Sequence, residues 1–231
     1  MRTFLIASAL LAALAAPAGA ATRNFGITDF TKVRVDGPYK VTFVSGVAPF
    51  ARATGSAEGL DRLTVEMRGD TLVVQNNKSG WGGYPGANPG PIEISIGTHD
   101  ISDAWVNGAG SLMIDRVRGL SFALSVQGSG RAEIATADAD QISVSLIGTA
   151  SAKLAGKAKK LTALVRGISA LDASGLISTD ASIGTEGAAT IDASVRNEAT
   201  VSASGPAIIR LAGNPTCVLR TGGSTTVSGC R

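Results

Sequence analysis

Two aspartates, Asp172 and Asp192, stand at equivalent places in neighbouring repeats of this chain. A retaining glycosidase holds two carboxyl groups ~5–5.5 Å apart, and like positions on stacked strands lie about one strand spacing, ~4.8 Å, from each other. Distance alone therefore permits that chemistry. It also requires a cleft and one carboxyl with a raised pKa, which a flat strand face does not supply by default. The competing reading is a row of surface charges, Met113, Glu133, Lys153, Asp172, Asp192 and Arg210, in which Lys153 and Arg210 relieve the two aspartates. Exposed opposite-charge pairs of this kind contribute less than about 1 kcal/mol each. A weak Ca²⁺ site is a further reading, because two carboxylates with nearby carbonyls suit a hard cation.

The remaining reactive residue types narrow the field. His99 is the only histidine, so no histidine cluster for zinc and no alternative base for a serine nucleophile exists. It falls in the segment Gly97-Thr98-His99-Asp100 and reads as a solvated turn residue. The Gly-Ser-Gly segments lack the Gly-x-Gly-x-x-Gly spacing and the following helix that a phosphate site needs. No cofactor or metal is called for. Trp81 and Tyr84 concentrate aromatic surface in a chain with 4% aromatic residues. They offer flat faces to a sugar ring or a partner, or else fold back over apolar surface. They are the candidate ligand-binding residues. Cys217 and Cys230 are the only cysteines and form no Cys-x-x-Cys motif, so a structural disulfide is expected in an exported protein.

What must position these residues is a repeat. Its cores are Val106-Asn107-Gly108-Ala109-Gly110-Ser111, Val126-Gln127-Gly128-Ser129-Gly130-Arg131 and Leu146-Ile147-Gly148-Thr149-Ala150-Ser151, with weaker copies to Gly222-Gly223-Ser224. The leading glycines at 108, 128, 148, 167, 187, 205 and 223 are separated by 20, 20, 19, 20, 18 and 18 residues. On both flanks apolar and polar residues alternate, the period of a half-buried strand. The glycines supply positive-φ turn positions. A second break follows at Asp138-Ala139-Asp140, Gly156-Lys157, Ser174-Gly175, Arg196-Asn197 and Gly213-Asn214-Pro215. Two strands and two turns per period make one coil of a stacked solenoid. Many inward positions are alanine, which predicts a flat, narrow coil.

Upstream, Arg2 followed by an apolar run from Phe4 to Ala16 and by Ala18-Gly19-Ala20 predicts a secretory signal peptide over residues 1–20. No cysteine lies at that junction, so a lipoprotein is not expected. The rest, 21–231, is expected to form one solenoid domain. Residues 30–75 read as a capping strand meander, with strands over Thr31–Val35, Lys40–Val44, Phe50–Thr54, Leu63–Met67 and Thr71–Gln75. A terminal coil leaves open strand edges, and this segment would cover them. Residues 76–91 form a Gly/Pro-rich loop, and 92–229 are the repeat coils.

The Gly-Ser-Gly-centred repeats, the signal peptide and the opening Phe30-Thr31-Lys32-Val33-Arg34-Val35-Asp36-Gly37-Pro38-Tyr39-Lys40-Val41-Thr42-Phe43, continued by Gly69-Asp70-Thr71-Leu72-Val73-Val74, resemble the head GIN domain family of auto-transporter adhesins. The resemblance spans roughly residues 30–225. It implies a two-sheet β-superhelix turned at the Gly-Ser-Gly units, a role in adhesion, and no enzymatic residues. The chain departs from the pattern where later repeats lose the second glycine, at Ala150, Ser169 and Ala189.

The expected fold is therefore all-β: a right-handed β-solenoid of about 20 residues per coil with an N-terminal meander as cap. The expected function is that of a non-enzymatic exported bacterial protein, an envelope adhesin or scaffold in the periplasm, at the outer membrane or secreted. A carbohydrate-active enzyme using Asp172 and Asp192, or a glycan-binding module using Trp81 and Tyr84, are the alternatives. Its partner would be an envelope or surface polysaccharide or protein. Hydrophobic residues are 44% and charged residues 17%, which excludes a disordered chain. With net charge +3, no long basic block and few aromatics, nucleic acid is not an expected partner. The short run Lys157-Ala158-Lys159-Lys160 reads as a solvated corner, and no transmembrane segment is expected after signal cleavage.

Overall fold

The computed structural model describes residues 20–77 and 90–231. It is a β-solenoid of about 6 turns with about 20 residues per turn. The leader over residues 1–19, and Trp81 and Tyr84, lie outside the described residues.

The regular part of the stack begins with β8 (Asp103–Gly108), preceded by β1 (Ala21–Phe25), β2 (Lys32–Asp36), β3 (Lys40–Ser45), β4 (Phe50–Gly55), α1 (Ala57–Arg62), β5 (Leu63–Arg68), β6 (Thr71–Asn76) and β7 (Glu93–Thr98). It continues through β9 (Ser111–Gly128), β10 (Arg131–Gly148), β11 (Ser151–Gly167), β12 (Ala170–Glu186) and β13 (Thr190–Ser204), and ends in β14 (Ile208–Ala212), β15 (Thr216–Gly222) and β16 (Thr226–Ser228). From β9 to β13 each coil is one long strand paired in parallel with the next. Within β9 to β13 the expected second break is a bend inside the ladder rather than an interruption, whereas at Gly213-Asn214-Pro215 the chain does break, between Ala212 and Thr216, with positive φ at Gly213 and Asn214. Asp138, Ala139 and Gln141 keep their partners Lys157, Ala158 and Lys160, and the bend is absorbed by a register shift between Ile134 and Ala137.

The leading glycines make a sharp turn in every coil. Gly108, Gly128, Gly148, Gly167, Gly187, Gly205 and Gly223 all have positive φ. Each also stacks on its predecessor: a Cβ on Gly148 would lie 2.7 Å from the Gly128 carbonyl oxygen, and one on Gly167 2.5 Å from that of Gly148. The second glycine is needed only early in the stack. At Gly110 a Cβ would meet the Gly37 carbonyl oxygen at 2.5 Å, whereas Ala150, Ala189 and Ala207 are accommodated there and buried. Ser169 occupies the same place, donating its hydroxyl hydrogen bond to the Gly148 carbonyl oxygen at 3.1 Å.

Inward side chains form continuous rows along the axis. One runs Val35, Val106, Val126, Leu146, Val165, Thr185 and Ala203; another runs Val41, Leu112, Ala132, Ala152, Leu171, Ile191 and Ile209. All are buried, and burial of such rows is what holds neighbouring coils together.

The N-terminal segment joins the stack in an order that differs from the order along the chain. Strands β2 and β3, joined by Gly37-Pro38-Tyr39, form a coil that pairs in parallel with β8 and β9 on one side and with β6 and β7 on the other. The end of the stack is then closed by antiparallel strands: β4 on β7, β1 on β4, and β5 on β6. Helix α1, absent from the sequence expectation along with β1, packs against β1, β4 and β5. It is capped by Ser56, whose hydroxyl accepts from the Gly59 N–H at 3.1 Å, and it buries Leu60.

The opposite end is left open. Among the described residues β15 pairs only with β13 and β16 only with β14. Leu219, which continues the buried row through Val201, is 46% exposed there. The Cys217–Cys230 disulfide, with Cα atoms 5.7 Å apart, joins the start of β15 to the residues after β16. These strands do not pair with each other, so the bridge spans the two sides of the last coil. Among the described residues no helix is long and apolar enough to cross a membrane.

Candidate functional site

The charged row assembles as its spacing requires: Met113, Glu133, Lys153, Asp172, Asp192 and Arg210 are register partners on successive coils. Each aspartate has its own local partner. Asp172 accepts from the Ser174 hydroxyl at 2.6 Å and from the Ser174 N–H at 3.2 Å. The Ser174 hydroxyl bond is the main cause of a pKa below the ordinary carboxylate value, burial opposing it and Lys153 assisting. Asp192 is held by Arg210, whose Nε donates to Oδ1 at 2.6 Å and Nη2 to Oδ2 at 3.1 Å. A glycosidic acid must carry a proton near neutral pH, and Asp172 is displaced in the opposite direction. The adjoining depression is small, about 210 Å³, and is lined by charges of both signs including Arg131, Glu133, Lys153 and Asp172. A cation at Asp192 would have to displace a two-point arginine contact. Among the described residues no group of three or more His, Cys, Asp or Glu side chains is placed to hold a metal ion.

The other charged candidates are surface features. His99 lies 3.5 Å from Asp29, whose carboxyl also accepts from Thr98 and is held below its ordinary range chiefly by that hydroxyl. Lys157 and Lys159 sit on the second corner and pair with Asp138 and Asp140, at 3.4 and 2.9 Å.

A different place on the solenoid combines shape, an aromatic face and polar side chains. It lies on the outer side of the strand halves that precede the glycine turns. Arg34, Trp105, Ser125, Ser145 and Leu164 are successive register partners there, pointing away from the buried rows. Beside them run Asp36, Asn107, Gln127 and Ile147. Because Ser125 and Ser145 follow Trp105 in its row, the indole stands above these neighbours and bounds two depressions. One, about 680 Å³, is lined by Arg34, Thr71, Trp105, Asn107 and Gln127. The other, about 240 Å³, runs from Trp105 over Ala123, Ser125, Ser143, Ser145 and Thr162 to Leu164.

Asp36 organises the polar side of this groove. It accepts from Asn107 Nδ2 at 2.6 Å and lies 2.9 Å from Arg34 Nε. The ion pair leaves the groove close to neutral while directing the outer guanidinium nitrogens of Arg34 and the Asn107 carbonyl oxygen away from Asp36. Trp105 and Gln127 make no side-chain hydrogen bond among the described residues. Sequence patterning alone does not single out Trp105. The available signal is one large aromatic residue in a row of the repeats otherwise made of Ser125, Ser145, Leu164, Gly184 and Ser202.

A family model described as "Putative auto-transporter adhesin, head GIN domain" matches residues 29–215. Among solved structures, the chain is similar to a protein from Bacteroides fragilis described as a putative adhesin, with a TM-score of 0.78 and 17% identity over 90% of this chain and 95% of that one. It is also similar to a protein from Parabacteroides distasonis described as a putative lipid binding protein, with a TM-score of 0.72 and 19% identity over 90% and 96% of the two chains. A third, described as a putative adhesin from Parabacteroides merdae, gives a TM-score of 0.66 and 17% identity over 90% and 95%. At these identities the likeness is one of fold. No curated protein matches the chain.

Proposed function

This chain belongs to the head GIN domain family of auto-transporter adhesins, and on that premise we propose that it is a non-enzymatic, exported envelope protein that adheres through a solenoid face. Residues 1–20 act as its signal peptide, residues 21–231 form one solenoid domain, and the protein resides in the periplasm, at the outer membrane or outside the cell. The observation that carries the reading is the outer strand face with its Trp105 groove, a broad and regular surface that the core does not require. The disulfide is consistent with export. The enzyme alternative finds less support, because Asp172 and Asp192 are each engaged by a local partner, Ser174 and Arg210.

The test is retention of the chain from Ala21 onward on isolated bacterial envelopes and insoluble polysaccharides, with soluble sugar assayed in the same tubes. Retention without sugar release is expected. Release of sugar that Asp172→Asn abolishes would replace the adhesive reading with an enzymatic one.

A further inference from the structure

We infer that the Trp105 groove is a binding site for a segment of neutral polysaccharide. The inference rests on the adhesive reading above and names the class of ligand that this face takes.

The residues around Trp105 combine the two kinds of contact that a sugar ring needs. A pyranose presents C–H groups on its faces and hydroxyls around its edge. The partly exposed indole supplies a flat apolar face. Arg34, Asn107 and Gln127 stand beside it with planar polar ends that pair with neighbouring hydroxyls. Asp36 fixes two of these three by accepting from Arg34 and Asn107, so the groups are oriented before a ligand arrives.

Charge selects the class of sugar. Among the described residues one cation, Arg34, lines the groove, and its Nε lies 3.0 Å from Oδ1 and 2.9 Å from Oδ2 of Asp36. An acidic sugar would meet a guanidinium already neutralised and a carboxylate that repels it. A neutral one meets only dipoles and an aromatic face.

Length selects a chain rather than a single sugar. From Trp105 the groove crosses Ser125 and Ser145 to Leu164, three strand spacings or about 14 Å. This part is lined by Ala123, Ser143, Ser145, Thr162 and Leu164, its exposed lining is mostly apolar, and among the described residues no charged side chain lines it. An extended polymer laid along the solenoid axis would set its hydroxyl edges against the polar end and the C–H faces of its rings against the mostly apolar end.

The experiment uses the chain from Ala21 onward carrying Trp81→Phe, which leaves Trp105 as its sole tryptophan. Fluorescence is titrated with neutral glucan and mannan fragments, with uronic-acid oligomers and with phospholipid vesicles. The expected result is a saturable change with neutral oligomers, tightening with oligomer length, and little with the other two. Trp105→Ala, followed by calorimetry, should weaken neutral binding by at least about thirtyfold, the loss typical of an aromatic anchor. Ser145→Arg, an outward substitution that leaves the core untouched, should block binding of the longer fragments. Asp36→Asn releases the Arg34 charge and should shift preference from neutral toward acidic oligomers, an effect that a purely structural role would not produce. Saturable binding to vesicles, or an unaltered neutral affinity in Trp105→Ala, overturns the assignment. If envelopes retain Trp105→Ala as well as the parent chain, the groove is wrong while adhesion stands. If they retain neither, the adhesive reading fails with it.

Discussion

Replacing Gly167 with alanine probes the contact on which coil stacking depends. Gly167 has φ of +87°, and a Cβ there would lie 2.5 Å from the Gly148 carbonyl oxygen and 3.2 Å from the Gly148 carbonyl carbon and nitrogen. That obstacle is backbone, and the same oxygen accepts the Ile168 N–H at 2.8 Å. Relief of the overlap therefore means prising two coils apart at the turn. Gly46 is the control, because its φ is +73° and a Cβ there would find nothing within 4 Å. Both substitutions incur the cost of an L-residue at positive φ, about 1–2 kcal/mol. Only Gly167→Ala adds overpacking, about 1–3 kcal/mol more. Urea unfolding followed by far-ultraviolet circular dichroism gives the two free energies. In thermal melts the gap corresponds to about 2–12 °C, at about 2–4 °C per kcal/mol for a domain of this size. If Gly167→Ala loses no more stability than Gly46→Ala, the stacked glycines are turn residues only and the argument from close approach is wrong.

Two further outcomes are expected. Thr185 stands in an otherwise apolar row between Val165 and Ala203, is 2% exposed, and its hydroxyl has no hydrogen-bond partner among the described residues. Thr185→Val should stabilise the protein by about 1–3 kcal/mol in thermal melts, and a loss instead would show that the hydroxyl is satisfied. The Cys217–Cys230 bridge closes a separation of 13 residues, worth about 3 kcal/mol in the chain-entropy account. Replacing both cysteines by alanine should lower hydrogen-exchange protection in β15 and β16 while leaving β10 to β12 unchanged; a uniform loss along the stack would refute the role of an end clamp.

Much of this fold is readable from residue order because each coil repeats the same demands. A glycine must turn the chain against the glycine below it, and the side chains on either flank must alternate. Strands β2 to β6 are legible to within a residue or two for the same reason: Val33, Val35, Val41 and Phe43 alternate with polar neighbours. What escapes such reading is non-local. Whether β2 lies beside β6, β8 or both depends on edges that residues far apart in sequence present, so the insertion of the β2–β3 coil has no local mark. Helix α1 carries a Ser56 cap, yet its six residues are too few for periodicity to show. The second corner contains polar residues such as Asp138 and Asp140, which suggest a break, although the backbone there stays paired. The groove is hidden for a related reason. Trp105 and Gln127 come from the repeats, while Arg34, Asp36 and Thr71 come from the segment read as a cap.

A solenoid separates two kinds of constraint more cleanly than a globular core does. Inward rows must be apolar and narrow, and outward rows need only be soluble. Outward residues that break their own row therefore carry information that the fold does not account for. By that criterion the Asp172–Asp192 pair is weak evidence for a site, since each carboxylate is balanced by a neighbour in or near its row, as a soluble face requires. Trp105 is stronger evidence. Its row is otherwise serine, glycine, one leucine and arginine, and its inward neighbours Ala104 and Val106 already complete the buried rows without it. An indole placed there, beside an arginine and an asparagine held by one aspartate, is not needed to complete the buried rows, and on that observation the proposed binding groove rests.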